Sequence, residues 1–156
     1  MICPPDDRLV RLFIKRSMIV RIATLSPKGN ADFIPLWFVF HHGKVYMATR
    51  AQNPVARDST VNPGVVLLFH GDRGPRRDRV LRIRGQAVFR SFEAEPGALR
   101  SIQLRAMQRY YLTPGGAWDT LKNIRKLPVW NRYHQERTGG GLIEVTPESA
   151  EFLRAP

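Results

Sequence analysis

The sequence has 156 residues, 43% of them hydrophobic, and sets 25 Lys and Arg against 13 Asp and Glu for a formal net charge of +12. That length predicts one domain over residues 1–156, able to bury roughly 68–70% of its unfolded surface without disulfides or metals. The single cysteine, Cys3, excludes an internal disulfide, and a reducing cytoplasmic setting is the simplest expectation. The start, Met1 to Asp7, has neither a basic region nor a long apolar run, so no export signal is expected. The longest apolar stretch, Phe33 to Phe40, is far shorter than the about 20 residues of a membrane helix, so no membrane partner is expected.

Residues 6–16 predict a helix, capped by Asp6 or Asp7, with Leu9, Leu12, Phe13 and Arg16 on one face. The Cys3 end before it reads as loose. Ile19 to Leu25 is β-branched and alternating, a strand. Ser26-Pro27-Lys28-Gly29-Asn30 has turn chemistry. Ala31 to His41 is a second strand, in which Pro35 requires an edge position, a bulge or a break in the ladder. His42-Gly43 turns the chain into a third strand, Lys44 to Thr49. Asn53-Pro54 is a helix start, asparagine as cap and proline as first helical residue, and the helix should run over 54–61.

Val65 to His70 and Val80 to Phe89 are the fourth and fifth strands, joined by a basic loop with Arg73, Arg76, Arg77 and Arg79. The loop reads as a solvated segment. Residues 92–112 and 117–136 predict two helices, the first with a stripe of Leu99, Ile102, Ala106, Arg109 and Tyr110. Gly139-Gly140-Gly141 reads as a flexible connector, not a phosphate loop, and Leu142 to Thr146 as the closing strand, extended by 150–153. The expected architecture is mainly β with added helices, a Greek-key-like barrel with its core over about 18–91 and 141–154 and a helical insertion over about 92–136.

Chemistry-bearing clusters are sparse. His41 and His42 are adjacent, and neighbours on a strand point to opposite faces, so a hairpin turn explains them better than a metal site. No serine has a nucleophile context, and no catalytic residue or metal ligand is assigned. Trp37 reads either as core or interface, or as the lining of a pocket; Trp118, Trp130, Tyr110, Tyr111 and Tyr133 read either as the lining of a substrate mouth or, as the simpler account, as core packing. The charge favours anionic partners. Nucleic acid is disfavoured, because the aromatic residues are not interleaved with the basic loop as a stacking platform requires.

Several stretches in order carry a resemblance: Arg21 to Gly29, Ile34 to Phe40, Val45 to Arg50, Asn62-Pro63-Gly64-Val65, Arg82 to Ala87, and Ile143 to Pro147. Together they resemble the pyridoxamine 5′-phosphate oxidase-like superfamily, in particular its small flavin- and deazaflavin-dependent oxidoreductases. The resemblance implies an FMN-binding split β-barrel, a homodimer whose cofactor sites are built from both subunits, and hydride transfer to or from a small organic substrate. It implies that the flavin ring lies against the strand holding Leu36 and Trp37. The phosphate end would be held by Thr49, Arg50, Asn53 and Arg57. The implied cofactor is FMN, with deazaflavin as the alternative.

Two positions depart from the pattern. Asn53 stands where the family usually has serine, and Val55 where it usually has lysine. Valine cannot pair with a phosphate, and one lost charge-assisted hydrogen bond costs about 1.5–3 kcal/mol, or about a ten- to hundredfold loss in affinity. The alternative reading is therefore a non-catalytic protein on the same fold that binds a flavin or a haem-like macrocycle.

Overall fold

The computed structural model describes residues 1–71, 79–110 and 139–154. The loop cations Arg73, Arg76 and Arg77, the predicted helix over 117–136 with Trp118 and Trp130, and Tyr111, Tyr133 and His134 lie outside the described residues. In chain order the elements are strand β1 (Ile2–Cys3), helix α1 (Arg8–Arg16), β2 (Ile19–Leu25), β3 (Ala31–His41), β4 (Lys44–Arg50), helix α2 (Pro54–Val61), β5 (Gly64–His70), β6 (Arg79–Ser91), helix α3 (Pro96–Tyr110) and β7 (Gly140–Arg154). The antiparallel pairs β2–β3, β3–β4, β4–β7, β7–β6, β6–β5 and β5–β2 close a six-stranded barrel. The mainly β architecture with added helices is as expected.

Local chemistry sets the boundaries. Asp7 caps α1 by accepting from the Leu9 N–H at 2.6 Å. The turn between β2 and β3 closes with Gly29 at φ +80°, and the Ser26 side chain accepts from the Asn30 N–H. The β3–β4 turn has His42 at φ +47° and Gly43 at φ +74°. Two successive positive φ values match the right-handed strand twist, which is why so short a loop closes this hairpin.

The interior alternates as strand geometry requires. Val65, Leu67 and Phe69 of β5 point inward, as do Val20 and Ile22 of β2, Val45 and Met47 of β4, and Ile143 and Val145 of β7. Phe38 meets Phe69 edge-on at 5.1 Å, and Phe13 of α1 meets Phe152 at 5.4 Å. α1 presents Val10, Phe13 and Ile14 to the core, not the expected Leu9 and Leu12, which stay exposed. A smaller apolar cluster of Val39, Leu99, Ile102 and Leu142 seats α3 against the outside of the barrel.

Three expectations at the chain's ends are corrected. The Cys3 end is not loose: β1 pairs with β7, and Met1 and Phe152 exchange backbone hydrogen bonds. The closing strand is one long element, Gly140–Arg154, paired with β6 along its length. It carries a bulge where Gly85 sits opposite Pro147, a position that tolerates proline because the ladder is already broken there. Nor are the glycines at 139–141 a loose connector. Gly139 turns at φ +85°, and Gly140 and Gly141 pair with Arg50 and Thr49 of β4. A Cβ at Gly141 would stand 2.4 Å from the Arg90 carbonyl oxygen, so glycine is needed for the close approach of strands.

Candidate functional site

β3 changes partners part-way along. Ala31–Trp37 pair with β2, whereas Phe38–His41 pair with β4. Backbone groups of successive strand residues point to opposite edges. The Phe38 N–H and C=O point to the β2 side, where both meet the Tyr110 hydroxyl. By alternation the backbone groups of Leu36, Ile34 and Asp32 face β2 too, and those of Phe33 and Pro35 face the opposite edge. Among the described residues no strand pairs with that edge over Ala31–Leu36. This accounts for Pro35: its missing N–H falls where no ladder bond is lost. The split leaves the Phe33 N–H and C=O and the Pro35 C=O along one lip.

The other lip is the end of β4 and the loop after it. Thr49 and Arg50 pair with Gly141 and Gly140, the Ala51 N–H donates to the Gly139 carbonyl at 2.7 Å, and the Asn53 N–H to the Arg50 carbonyl at 3.0 Å. This ties the loop to β7 and aims the start of α2. Asn53 caps that helix, its Oδ1 accepting from the Val55 N–H at 3.1 Å. Serine and asparagine are both strong caps, so this departure from the family residue keeps the helix start. Val55 is fully buried in the barrel core; the position supplies packing and no charge. Thr49 and Arg50 are half-buried, as are Leu36 and Asn53, and Arg57 is exposed one turn along α2. The structure therefore gathers Thr49, Arg50, Asn53 and Arg57 on one lip and places Leu36 and Trp37 on the other strand of the split. Trp37 is not core: it is 47% exposed and stacks on Tyr110 at 4.8 Å and 9°.

Sequence reasoning missed two features around these lips. The first is the bonding of the Tyr110 hydroxyl to the backbone of β3: the sequence places the residue in a helical stripe and among aromatics for packing or a substrate mouth, with no role for its hydroxyl. The second is an acidic pair beneath α2. Asp58 is buried, the Thr24 hydroxyl donates to it at 3.5 Å, and the Asp32 carboxyl acts on it from β3. Burial first, then Asp32, pushes the Asp58 carboxyl above the usual carboxylate range.

Other charged and titratable residues lie away from the split. Arg82 and Arg84 are on β6, opposite β3 around the barrel, and Arg82 is ion-paired with Glu151. His41 and His42 form the hairpin as expected, but the opposite-faces argument fails because His42 is not extended. Their rings lie 3.8 Å apart, at a cleft of about 420 Å³ with Tyr46, Arg90 and Glu144. Charges there satisfy one another: Glu144 accepts from Lys44 at 2.7 Å and Arg90 at 3.0 Å, and Arg90 also holds Glu95. Burial would raise the Glu144 carboxyl, but those two cations outweigh it and hold it below the usual range. Burial, with the Arg105 charge, keeps the His41 imidazole below its ordinary value. Among the described residues no cluster of three or more His, Cys, Asp or Glu is placed to hold a metal, and no helix is long and apolar enough to cross a membrane.

The fold is shared with solved structures. A conserved hypothetical protein from Mycobacterium tuberculosis is similar at TM-score 0.68 and 19% identity, covering 96% of this chain and 84% of that one. A structure named F420 reductase is similar at TM-score 0.59 and 18% identity, covering 90% and 94%. The haem storage protein HutZ from Vibrio cholerae is similar at TM-score 0.62 and 14% identity, covering 95% and 93%. At these identities the likeness is one of fold. No curated protein matches the sequence. A family model described as pyridoxamine 5′-phosphate oxidase matches residues 7–153, so the chain belongs to that family and has its split-barrel fold.

Proposed function

We propose that the chain is a flavin- or deazaflavin-dependent oxidoreductase that works as a homodimer on a small organic substrate. The observation that carries this reading is the split itself. One lip offers backbone donors and acceptors of Phe33 and Pro35, suited to the polar edge of a flat heteroaromatic ring. The other offers the Thr49 hydroxyl and the Arg50 and Arg57 guanidiniums, groups suited to a phosphate. Trp37, on the outer face, supplies an apolar wall, whereas the Leu36 side chain turns inward onto the barrel core. The bound cofactor would supply the hydride chemistry, while the chain binds it, orients it and excludes water.

The outer face of β2 and β3 supports the homodimer reading. Ile19, Leu25, Phe33 and Trp37 are 39–51% exposed there, and the ladder register puts all four on the same side of the sheet. A second copy on this face would shelter the split. Val55 favours a second reading, in which the same site holds a flavin or a haem-like macrocycle without turnover, because the phosphate end lacks a cation at that position.

The test is an absorbance spectrum of the purified protein, followed by titration with FMN and with deazaflavin. Flavin absorbance or saturable binding of either supports the cofactor reading. Arg50→Ala should then weaken binding about ten- to hundredfold. Absence of binding to both, with haem binding instead, would replace it by the second reading.

A further inference from the structure

We infer that Tyr110, at the far end of the described part of α3, is a positioning residue for the split and for Trp37. This rests on the cofactor reading for its functional meaning and on geometry for its mechanism. The Tyr110 hydroxyl sits at the point where β3 leaves β2 for β4. It accepts from the Phe38 N–H at 2.9 Å, and its own proton is shared between the carbonyls of Phe38 at 2.8 Å and Met18 at 3.0 Å. Phe38 and Met18 are where the next rung of the β2–β3 ladder would fall, since Ile19 opposes Trp37. A side chain from a distant helix thus replaces that rung.

The same residue fixes the neighbouring side chain. Its ring lies nearly parallel to the Trp37 indole at 4.8 Å, a face-to-face stack that restricts the indole beyond what its backbone dictates. The helix end that carries Tyr110 is itself anchored. Arg109 donates to the carbonyls of Ile14 and Ser17 at the end of α1 and lies 4.5 Å from the centre of the Phe38 ring, which suits a cation at a helix C-terminus. Phe38 is 1% exposed and Tyr110 9%, so water does not substitute readily for the hydroxyl. Burial raises the Tyr110 hydroxyl above its ordinary value, against the Phe38 bond and the Arg109 charge. The clamp therefore keeps its proton across the physiological range.

The consequence is a coupling between α3 and the cofactor lip. With Tyr110 seated, β3 passes from β2 to β4 at Phe38 and Trp37 holds one orientation at the edge of the split. With it withdrawn, the Phe38 N–H loses its acceptor and the indole loses its stacking partner. Ligand affinity should then depend on a residue placed to act on Trp37 and β3 instead of on the ligand.

Tyr110→Phe keeps the ring and removes the hydroxyl; Tyr110→Leu removes both. Three measurements on each are compared with wild type: hydrogen exchange at the Phe38 amide, indole emission taken as the difference from the matching Trp37→Phe protein, and the dissociation constant of whichever flavin wild type binds. Tyr110→Phe should speed exchange at Phe38 selectively and weaken binding about tenfold, the effect of one lost buried hydrogen bond. Tyr110→Leu should also shift the Trp37 emission. A purely structural residue would lower the melting temperature and leave the dissociation constant of the folded protein unchanged, which would overturn the inference. If wild type binds no flavin, the cofactor reading fails by itself. The clamp is then judged on Phe38 exchange and Trp37 emission, and two unchanged signals would overturn it.

Discussion

Asp58 shows how one side chain ties stability to pH. Its carboxyl is held above the ordinary range by burial and by Asp32. A carboxyl raised on folding keeps its proton longer in the folded state than in the unfolded one. Stability is therefore lost as pH rises from the ordinary carboxylate value through the raised one. Asp58→Asn should be more stable than wild type near neutral pH, and the two should converge as pH falls to the ordinary carboxylate value. Urea melts across that range measure this; parallel curves would contradict a carboxyl raised on folding. Neither Asp32 nor Asp58 stood out in the sequence, because they are far apart in the chain and only packing of α2 over β2 and β3 brings them together. Val55 was the opposite case. Its lack of charge was plain from the residue type, but its place in the core required the fold.

Elements joined by short turns were legible, and those joined by distant pairing were not. The Ser26 to Asn30 turn, the His42-Gly43 hairpin and the Asn53-Pro54 helix start all act within a few residues, so β2, β3, β4 and α2 followed from local chemistry. β1 did not, since two residues acquire strand geometry only by pairing with Glu151 and Ala150. The seating of α3 also depends on distant partners. Glu144 of β7 bonds Lys44 of β4 and Arg90 of β6, and Arg90 passes the link to Glu95 just before α3. Because the Glu144 carboxyl is depressed in the folded state, its stabilisation is present above the ordinary carboxylate range and is lost as pH falls below it. Glu144→Gln should cost about 1–2 kcal/mol at neutral pH, a modest figure because its partners are about a third exposed and screened. The deficit should shrink on acidification in chemical denaturation.

At the scale of the molecule, the described residues leave an apolar outer face on β2 and β3. Exposed apolar side chains on β2 and β3 are grouped beside the split, whereas scattered ones would need no explanation. Phe33→Glu should shift the protein from dimer to monomer in sedimentation velocity and weaken flavin binding together with it. A variant that stays dimeric would place the interface elsewhere. The fold class was legible because hairpin turns and strand alternation repeat along most of the chain. The exposed apolar face of β2 and β3 was not, since an apolar residue on a strand reads the same whether it turns to the core or to the outside.

The long strand β7 also sets the order in which this protein can be assembled. It pairs with β6, with β4 and, at its far end, with β1. Until it arrives, facing edges of β4 and β6 stand open, and open edges recruit other chains. A growing chain can form the β2–β3–β4 meander early but cannot close the cylinder until its last strand is available. Bonds between Met1 and Phe152 span 151 positions, and contacts of such separation slow folding. Interruptions late in the reading frame should therefore give aggregates instead of a smaller folded core.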